Sequence, residues 1–228
     1  MPELKKLFNS AENILYVLRF SDFDPCNYVS FLSDAEKKSV ARKAEIRLRN
    51  TAILSYGLRR AILSFLLELS PKKIQFNFTD EKKPFLSGYP LHFNVSHNQD
   101  WWVMLINPSH EIGVDIENIN SSIKFKELSS RFFSKEEHNL TLKKGKEYFL
   151  RLWTAKEALL KAQGQGIKSL ASLRQTDLRL DKEDKLYSVN KKFLPWALET
   201  IIIERNLISM ALPAQKTHFM LYKNFNRF

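Results

Sequence analysis

Asp115 and Glu117 stand two residues apart in Ile112-Gly113-Val114-Asp115-Ile116-Glu117, and residues two apart on a strand share a face. The alternation predicts a strand with Val114 and Ile116 to one side and both carboxylates to the other. Their attachment points would be about 7 Å apart, so at an effective dielectric near 20 two ionised acids repel by on the order of 2 kcal/mol. A cation should neutralise them. Oxygen donors with neither a neighbouring Cys nor a His cluster favour a hard ion such as Mg²⁺, which takes one or two carboxylates and keeps water and substrate phosphate as its other ligands. Taken alone, such a pair is more often two acids facing water, so its companions decide the reading.

The first companion is Arg151-Leu-Trp-Thr-Ala-Lys156-Glu157-Ala-Leu-Leu-Lys161-Ala-Gln-Gly164-Gln-Gly166, a run of helix formers closed by glycines. Four-residue spacing puts Trp153, Glu157 and Lys161 on one helix face. That order also suits an ordinary surface ion pair between Glu157 and Lys161. The second companion, Phe93-Asn94-Val95-Ser96-His97-Asn98, sets a hydroxyl, an imidazole and an amide just after a predicted strand, a common place for anion-binding groups. The third, Lys83-Pro84, puts an ammonium beside a residue of fixed φ, which serves a site or simply a turn.

These residues need elements to position them. Apolar residues at three- and four-residue intervals predict helices from Ser33 to Leu69, the first capped by Ser33 or Asp34 and the second spanning about Ile46 to Leu69, before Ser70-Pro71. Strands are predicted at Ile74–Phe78, Leu91–Val95, Trp101–Ile106 and Glu111–Ile116, with turns over Glu81–Pro90 and the polar stretch Ser96–Asp100. Helices follow at about Lys124–Arg131, Lys135–Leu142 and Glu147–Gln163, and the region Leu178–Tyr222 has strand character. Helix-then-strands thus occurs twice, with a join near Pro108. The pattern predicts an α+β fold of two similar halves, 1–108 and 109–228.

At 228 residues, 44% of them hydrophobic, the chain can bury a sizeable core. Its one cysteine, Cys26, cannot form an internal disulfide. With neither a membrane-length apolar run nor an apolar N-terminal run of signal-peptide type, the expected address is the cytoplasm, without membrane association. The formal net charge of +11 favours anionic partners without choosing among nucleic acid, phosphorylated cofactors and acidic proteins.

In this order, Lys83-Pro84, Phe93-Asn94-Val95-Ser96-His97, Gly113-Val114-Asp115-Ile116-Glu117, Arg131-Phe-Phe-Ser-Lys-Glu-Glu137 and Trp153 to Gly166 closely resemble the motifs of the 4′-phosphopantetheinyl transferase superfamily, in its long, surfactin-synthetase-activating type. The resemblance implies a pseudo-twofold pair of halves, each a small antiparallel sheet packed with helices, and an active site in the cleft between them. It implies transfer of the phosphopantetheine arm of coenzyme A to a serine of an acyl or peptidyl carrier protein, with release of adenosine 3′,5′-bisphosphate. It further implies that Asp115, Glu117 and Glu157 hold Mg²⁺ on the pyrophosphate, with Lys161 near the same phosphates, and that Lys83, Ser96 and His97 hold other phosphates of coenzyme A. Lys156 is a further matched cofactor-side position. Glu157 is the first choice of base for the serine proton and Glu137, acting through water, the second. One chain would complete the site, so a monomer is expected.

The sequence departs from the family pattern in three places. Lys82 replaces a Gly before Lys83-Pro84, Asn98 replaces a Ser after His97, and the arginine for the 3′-phosphate falls among Arg47, Arg49, Arg59 and Arg60. The region Lys124–Leu142, with Phe125 and Phe132-Phe133, offers either a carrier contact or core residues. Two other readings compete. A basic nucleic-acid-binding protein would account for the charge and for Lys223–Phe228, but not for three converging carboxylates. A non-catalytic carrier binder of the same fold would not need all three acids and both lysines.

Overall fold

The computed structural model describes residues 13–164, 174, 177–181, 185–188 and 196–224. The first half runs β1 (Asn13–Arg19), a 3₁₀ stretch (Pro25–Phe31), α1 (Asp34–Ala41), α2 (Ile46–Leu67), a short hairpin of β2 (Asn77–Phe78) and β3 (Pro84–Phe85), then β4 (His92–His97) and β5 (Trp101–Asn107). The second runs β6 (Gly113–Asn118), α3 (Phe125–Phe132), α4 (Lys135–Lys144), α5 (Lys146–Ala162), a short pair of β7 (Leu178–Leu180) and β8 (Leu186–Ser188), then β9 (Trp196–Ile203), β10 (Asn206–Pro213) and β11 (Phe219–Tyr222).

Two small sheets organise these elements, ordered β11-β1-β5-β4 and β6-β10-β9. Each half therefore opens with a strand, continues through helices and ends in a hairpin whose second strand pairs with the opening one. This corrects the helix-then-strands order, because β1 had not been predicted. Asn-Ile-Leu-Tyr-Val-Leu-Arg lacks polar alternation since six of its seven residues are buried, a pattern reserved for strands covered on both faces. Among the described residues, pairing within both sheets is antiparallel except where β11 lies parallel to β1. Residues 219–222 of the second segment thus belong to the sheet of the first.

The buried side chains sort into three layers. Ile14, Tyr16, Leu18, Trp102 and Met104 face Leu58, Ile62 and Leu66 of α2. The opposite faces of the same strands, Leu15, Val17, Val103 and Leu105, meet Val114, Ile116, Ile208 and Met210 of the second sheet. The far side of that sheet, with Leu207 and Ala211, receives Phe149, Leu152 and Leu159 of α5. The order is helix, sheet, sheet, helix, and each fully buried Leu or Ile contributes about 1.5–3 kcal/mol.

Each half also repeats one polar device. Of the two expected caps, Ser33 is the one that caps α1, in a capping box with Glu36, and Ser134 caps α4 in the same way with Glu137. In both, the glutamate then meets a buried cation on the long helix: Glu36 takes Arg60 Nε at 2.6 Å and Arg59 at 2.7 Å, while Glu137 takes Lys156 Nζ at 2.8 Å.

Candidate active site

A glycine sets the distance between strand and helix. A Cβ built on Gly113 would fall 1.9 Å from the Ala158 carbonyl oxygen and 2.6 Å from the Ala162 nitrogen, so only glycine lets β6 lie this close to α5. A buried hydroxyl chain holds the two in place: Thr154 on α5 lies 2.7 Å from Ser209 on β10, which lies 3.0 Å from Thr200 on β9. Ser209 is in register with Asp115 and Leu207 with Glu117, so both acids rise from the sheet face that α5 covers. The predicted alternation is present, and Val114 and Ile116 go to the core between the sheets.

From α5, Lys161 reaches into this corner. Its Nζ lies 2.8 Å from Asp115 Oδ1, 2.9 Å from Ser96 Oγ and 3.0 Å from the Val114 carbonyl. The Ser96 hydroxyl in turn donates to Asp115 Oδ1 at 2.8 Å. Loss of solvent raises Glu157 to about 7, the charge of Asp115 adds to this, and Lys161 opposes it. Glu117 is raised to about 7 by the same causes in the same order, with Glu157 contributing as well. Asp115, Glu117, Glu157 and Lys161 thus form one electrostatically coupled group, short of positive charge.

The first half supplies the other wall. Asn94 Oδ1 accepts the Val114 backbone N–H at 2.9 Å and docks β4 beside β6. Ser96 and His97 lie within β4; their prediction as a loop is corrected, because the ladder with β5 continues to the pair His97–Trp102. The His97 ring packs edge-on to Phe20. Loss of solvent pushes its pKa below the ordinary histidine value, the hydrogen bond with the Asn98 carbonyl opposes this, and the charges of Lys161 and Lys43 add to it. Lys83 pairs with Glu111 and lies 3.5 Å from the Ile112 carbonyl. Glu111 also meets His92 Nδ1 at 3.0 Å. The hydrogen bond from His92 first, then Lys83, hold its carboxyl down at about 2, against the cost of burial. Lys83, Pro84, His92, Glu111, Gln163 and Gly164 line a cavity of about 400 Å³ between the halves.

Glu137 and Lys156 are not brought to this group. Both side chains are 0% exposed. The Glu137 carboxylate accepts from the Ser134 and Leu178 backbone N–H groups and from Lys156, which leaves neither residue a face open to solvent or to a phosphate. Arg59 and Arg60 are likewise committed to Glu36, whereas Arg47 and Arg49 are exposed. Phe133 is a core residue. Gly166 lies outside the described residues. Glu111 and Lys43 had not been singled out, and nothing in the local sequence links Glu111 to a lysine twenty-eight positions earlier.

The donor set suits a hard divalent ion in type and charge: three acids, oxygen only, with a surplus of negative charge. No His, Cys, Asp and Glu grouping among the described residues is closed tightly enough to grip a metal, and Asp115 Oδ1 is engaged by Lys161 and Ser96.

Comparison with known proteins matches two adjacent family models. One, described as 4′-phosphopantetheinyl transferase, N-terminal, takes residues 22–109; the other, described as the 4′-phosphopantetheinyl transferase superfamily, takes residues 111–211. The 4′-phosphopantetheinyl transferase HetI of Nostoc sp. strain PCC 7120 is 34% identical over 139 residues, 57% of each chain. Sfp, the 4′-phosphopantetheinyl transferase of Bacillus subtilis strain 168, is 32% identical over 145 residues, 61% of this chain and 63% of its own. The L-aminoadipate-semialdehyde dehydrogenase-phosphopantetheinyl transferase of Xenopus laevis is 28% identical over 194 residues, 74% of this chain and 64% of its own. The chain therefore spans 57% to 64% of the length of these relatives. With residues 22–109 and 111–211 both matched by models of one kind, the chain belongs to the 4′-phosphopantetheinyl transferase superfamily.

Proposed function

We propose that the chain transfers the 4′-phosphopantetheine arm of coenzyme A to a serine of an apo acyl or peptidyl carrier protein, with Mg²⁺, releasing adenosine 3′,5′-bisphosphate. The observation that carries the reading is the group Asp115, Glu117, Glu157 and Lys161, set at the seam between the halves with Ser96 and His97 opposite. Asp115, Glu117 and Glu157 are the proposed ligands of Mg²⁺. When bound, the ion neutralises the diphosphate and draws charge from the breaking P–O bond. Lys161 counters charge on the same phosphates, and Lys83, Ser96 and His97 hold the remaining phosphate groups.

The serine oxygen forms a bond to the β-phosphorus, the bond to the bridging oxygen breaks, and the electron pair leaves with adenosine 3′,5′-bisphosphate. The serine proton goes to Glu157, the acid of α5 that faces the same phosphates. Positioning and charge neutralisation supply most of the rate, as in other phosphoryl transfers. Glu137 and Lys156 act indirectly, by holding α4 against α5. The surplus of positive charge suits a polyanionic co-substrate and an acidic carrier surface. No described helix is long and apolar enough to cross a membrane, and a monomeric cytoplasmic enzyme is the form proposed.

The test is intact-mass spectrometry of apo carrier proteins incubated with the protein, coenzyme A and Mg²⁺, with Asp115→Ala as control. Gain of one phosphopantetheinyl mass with the wild type alone is the expected result. No gain on fatty-acid, polyketide or peptide carriers, from a folded protein that binds coenzyme A, would leave a non-catalytic binder of the same fold.

A further inference from the structure

The protein carries a cation of its own beside the acids. The Lys161 ammonium has three protons, and the structure gives them three acceptors: Asp115 Oδ1, Ser96 Oγ and the Val114 carbonyl, at 2.8, 2.9 and 3.0 Å. The contact is sheltered, with 27% of the Lys161 side chain and 11% of the Asp115 side chain exposed. It is also fixed from both ends, since α5 rests on β6 at Gly113 and β4 is held to β6 by Asn94.

A divalent ion taking Asp115 would share its carboxylate with an ammonium of like sign. The two are alternatives for the same negative charge, and an ammonium on a flexible four-carbon stem is the one that can leave. We infer that Lys161 is a placeholder for the metal: it holds Asp115 until a diphosphate arrives, moves onto the phosphate, and frees the carboxylate for the incoming ion. This rests on the metal-site reading proposed above. Its consequence is that metal and coenzyme A bind cooperatively, each raising the affinity of the other by the same factor. Displacing Lys161 also removes its hydrogen bond to Ser96, so the first half takes part in the exchange.

The experiment measures free Mn²⁺ by electron paramagnetic resonance, in wild type and Lys161→Met, with and without saturating coenzyme A. Lys161→Gln is the alternative variant should Lys161→Met fail to fold. Without coenzyme A, the variant should bind Mn²⁺ at least about tenfold more tightly than wild type; coenzyme A should tighten wild type by about tenfold or more and the variant by much less. Equal Mn²⁺ affinity in wild type and variant without coenzyme A, or equal enhancement by coenzyme A in both, would overturn the placeholder role while leaving the metal site intact. Mn²⁺ binding unchanged by Asp115→Asn would instead remove the metal site, and the inference with it.

Discussion

Gly113 lies so near Ala158 that a methyl group at residue 113 would overlap the Ala158 carbonyl. The spacing between the acids of β6 and Glu157 of α5 is set by this contact, so a side chain here must push the helix away. Gly113→Ala should cost about 1–3 kcal/mol as an overpacked site, or roughly 2–12 °C in melting temperature for a chain of this size. Transferase turnover well below the melting temperature should fall further than that loss of stability accounts for. An unchanged melting curve with full turnover would mean that the helix is not positioned here.

The metal-free protein should lose stability as pH rises. Glu117 and Glu157 have folded values of about 7 against an ordinary 4.5, so between those values the folded state holds protons that the unfolded chain has released. Their contribution to stability is then greatest below the ordinary carboxylate value and declines until about 7 is passed, while His97 and Glu111, both held below their ordinary values, contribute in the opposite sense. In chelator, the melting temperature should drop between about pH 5 and about pH 8, and Glu117→Gln should flatten that drop. Mg²⁺ should stabilise the protein more at the upper end, where the ligands are ionised. A melting temperature independent of pH in chelator would contradict the coupling of these acids.

Lys156 and Glu137 should behave as a structural pair. Lys156→Met leaves a buried carboxylate without its counter-ion, a loss of about 3–5 kcal/mol for such pairs, although the Ser134 and Leu178 amides still serve the carboxylate. Lys156→Met/Glu137→Gln should recover part of that loss, because the orphaned charge is gone. Both variants, where folded, should keep a KM for coenzyme A close to that of wild type. A large rise in KM with unchanged stability would place Lys156 at the phosphates after all.

The sequence showed the site more clearly than the fold around it. Alternation was enough to put Asp115 and Glu117 on one face, and four-residue spacing enough to put Glu157 and Lys161 on one side of a helix, although Lys161 then pairs with Asp115. The same reasoning could not separate Lys156 from Glu157: neighbours on a helix differ by about 100° of rotation, and which of them faces the interior depends on the sheet below. The resemblance to Ser33-x-x-Glu36 was available in Ser134-x-x-Glu137, and the shared capping box points to a structural role for Glu137. β1 was missed because a strand covered on both faces has no polar alternation to display. The pairing of Lys83 with Glu111, like that of β1 with β11, is a tertiary contact with no local signal.

Asn13 is buried, and its side-chain amide donates to the carbonyls of Lys216 and His218 at 2.7 and 2.9 Å while its oxygen accepts from Asn107. On a ribosome working at roughly 5–20 residues per second, the acceptors of that amide are made on the order of ten seconds or more after Asn13 itself. Until then the opening strand has one edge bare, a template for pairing with another nascent chain. Folding of the first half is therefore unfinished until residues 219–222 have been made and β11 covers that edge.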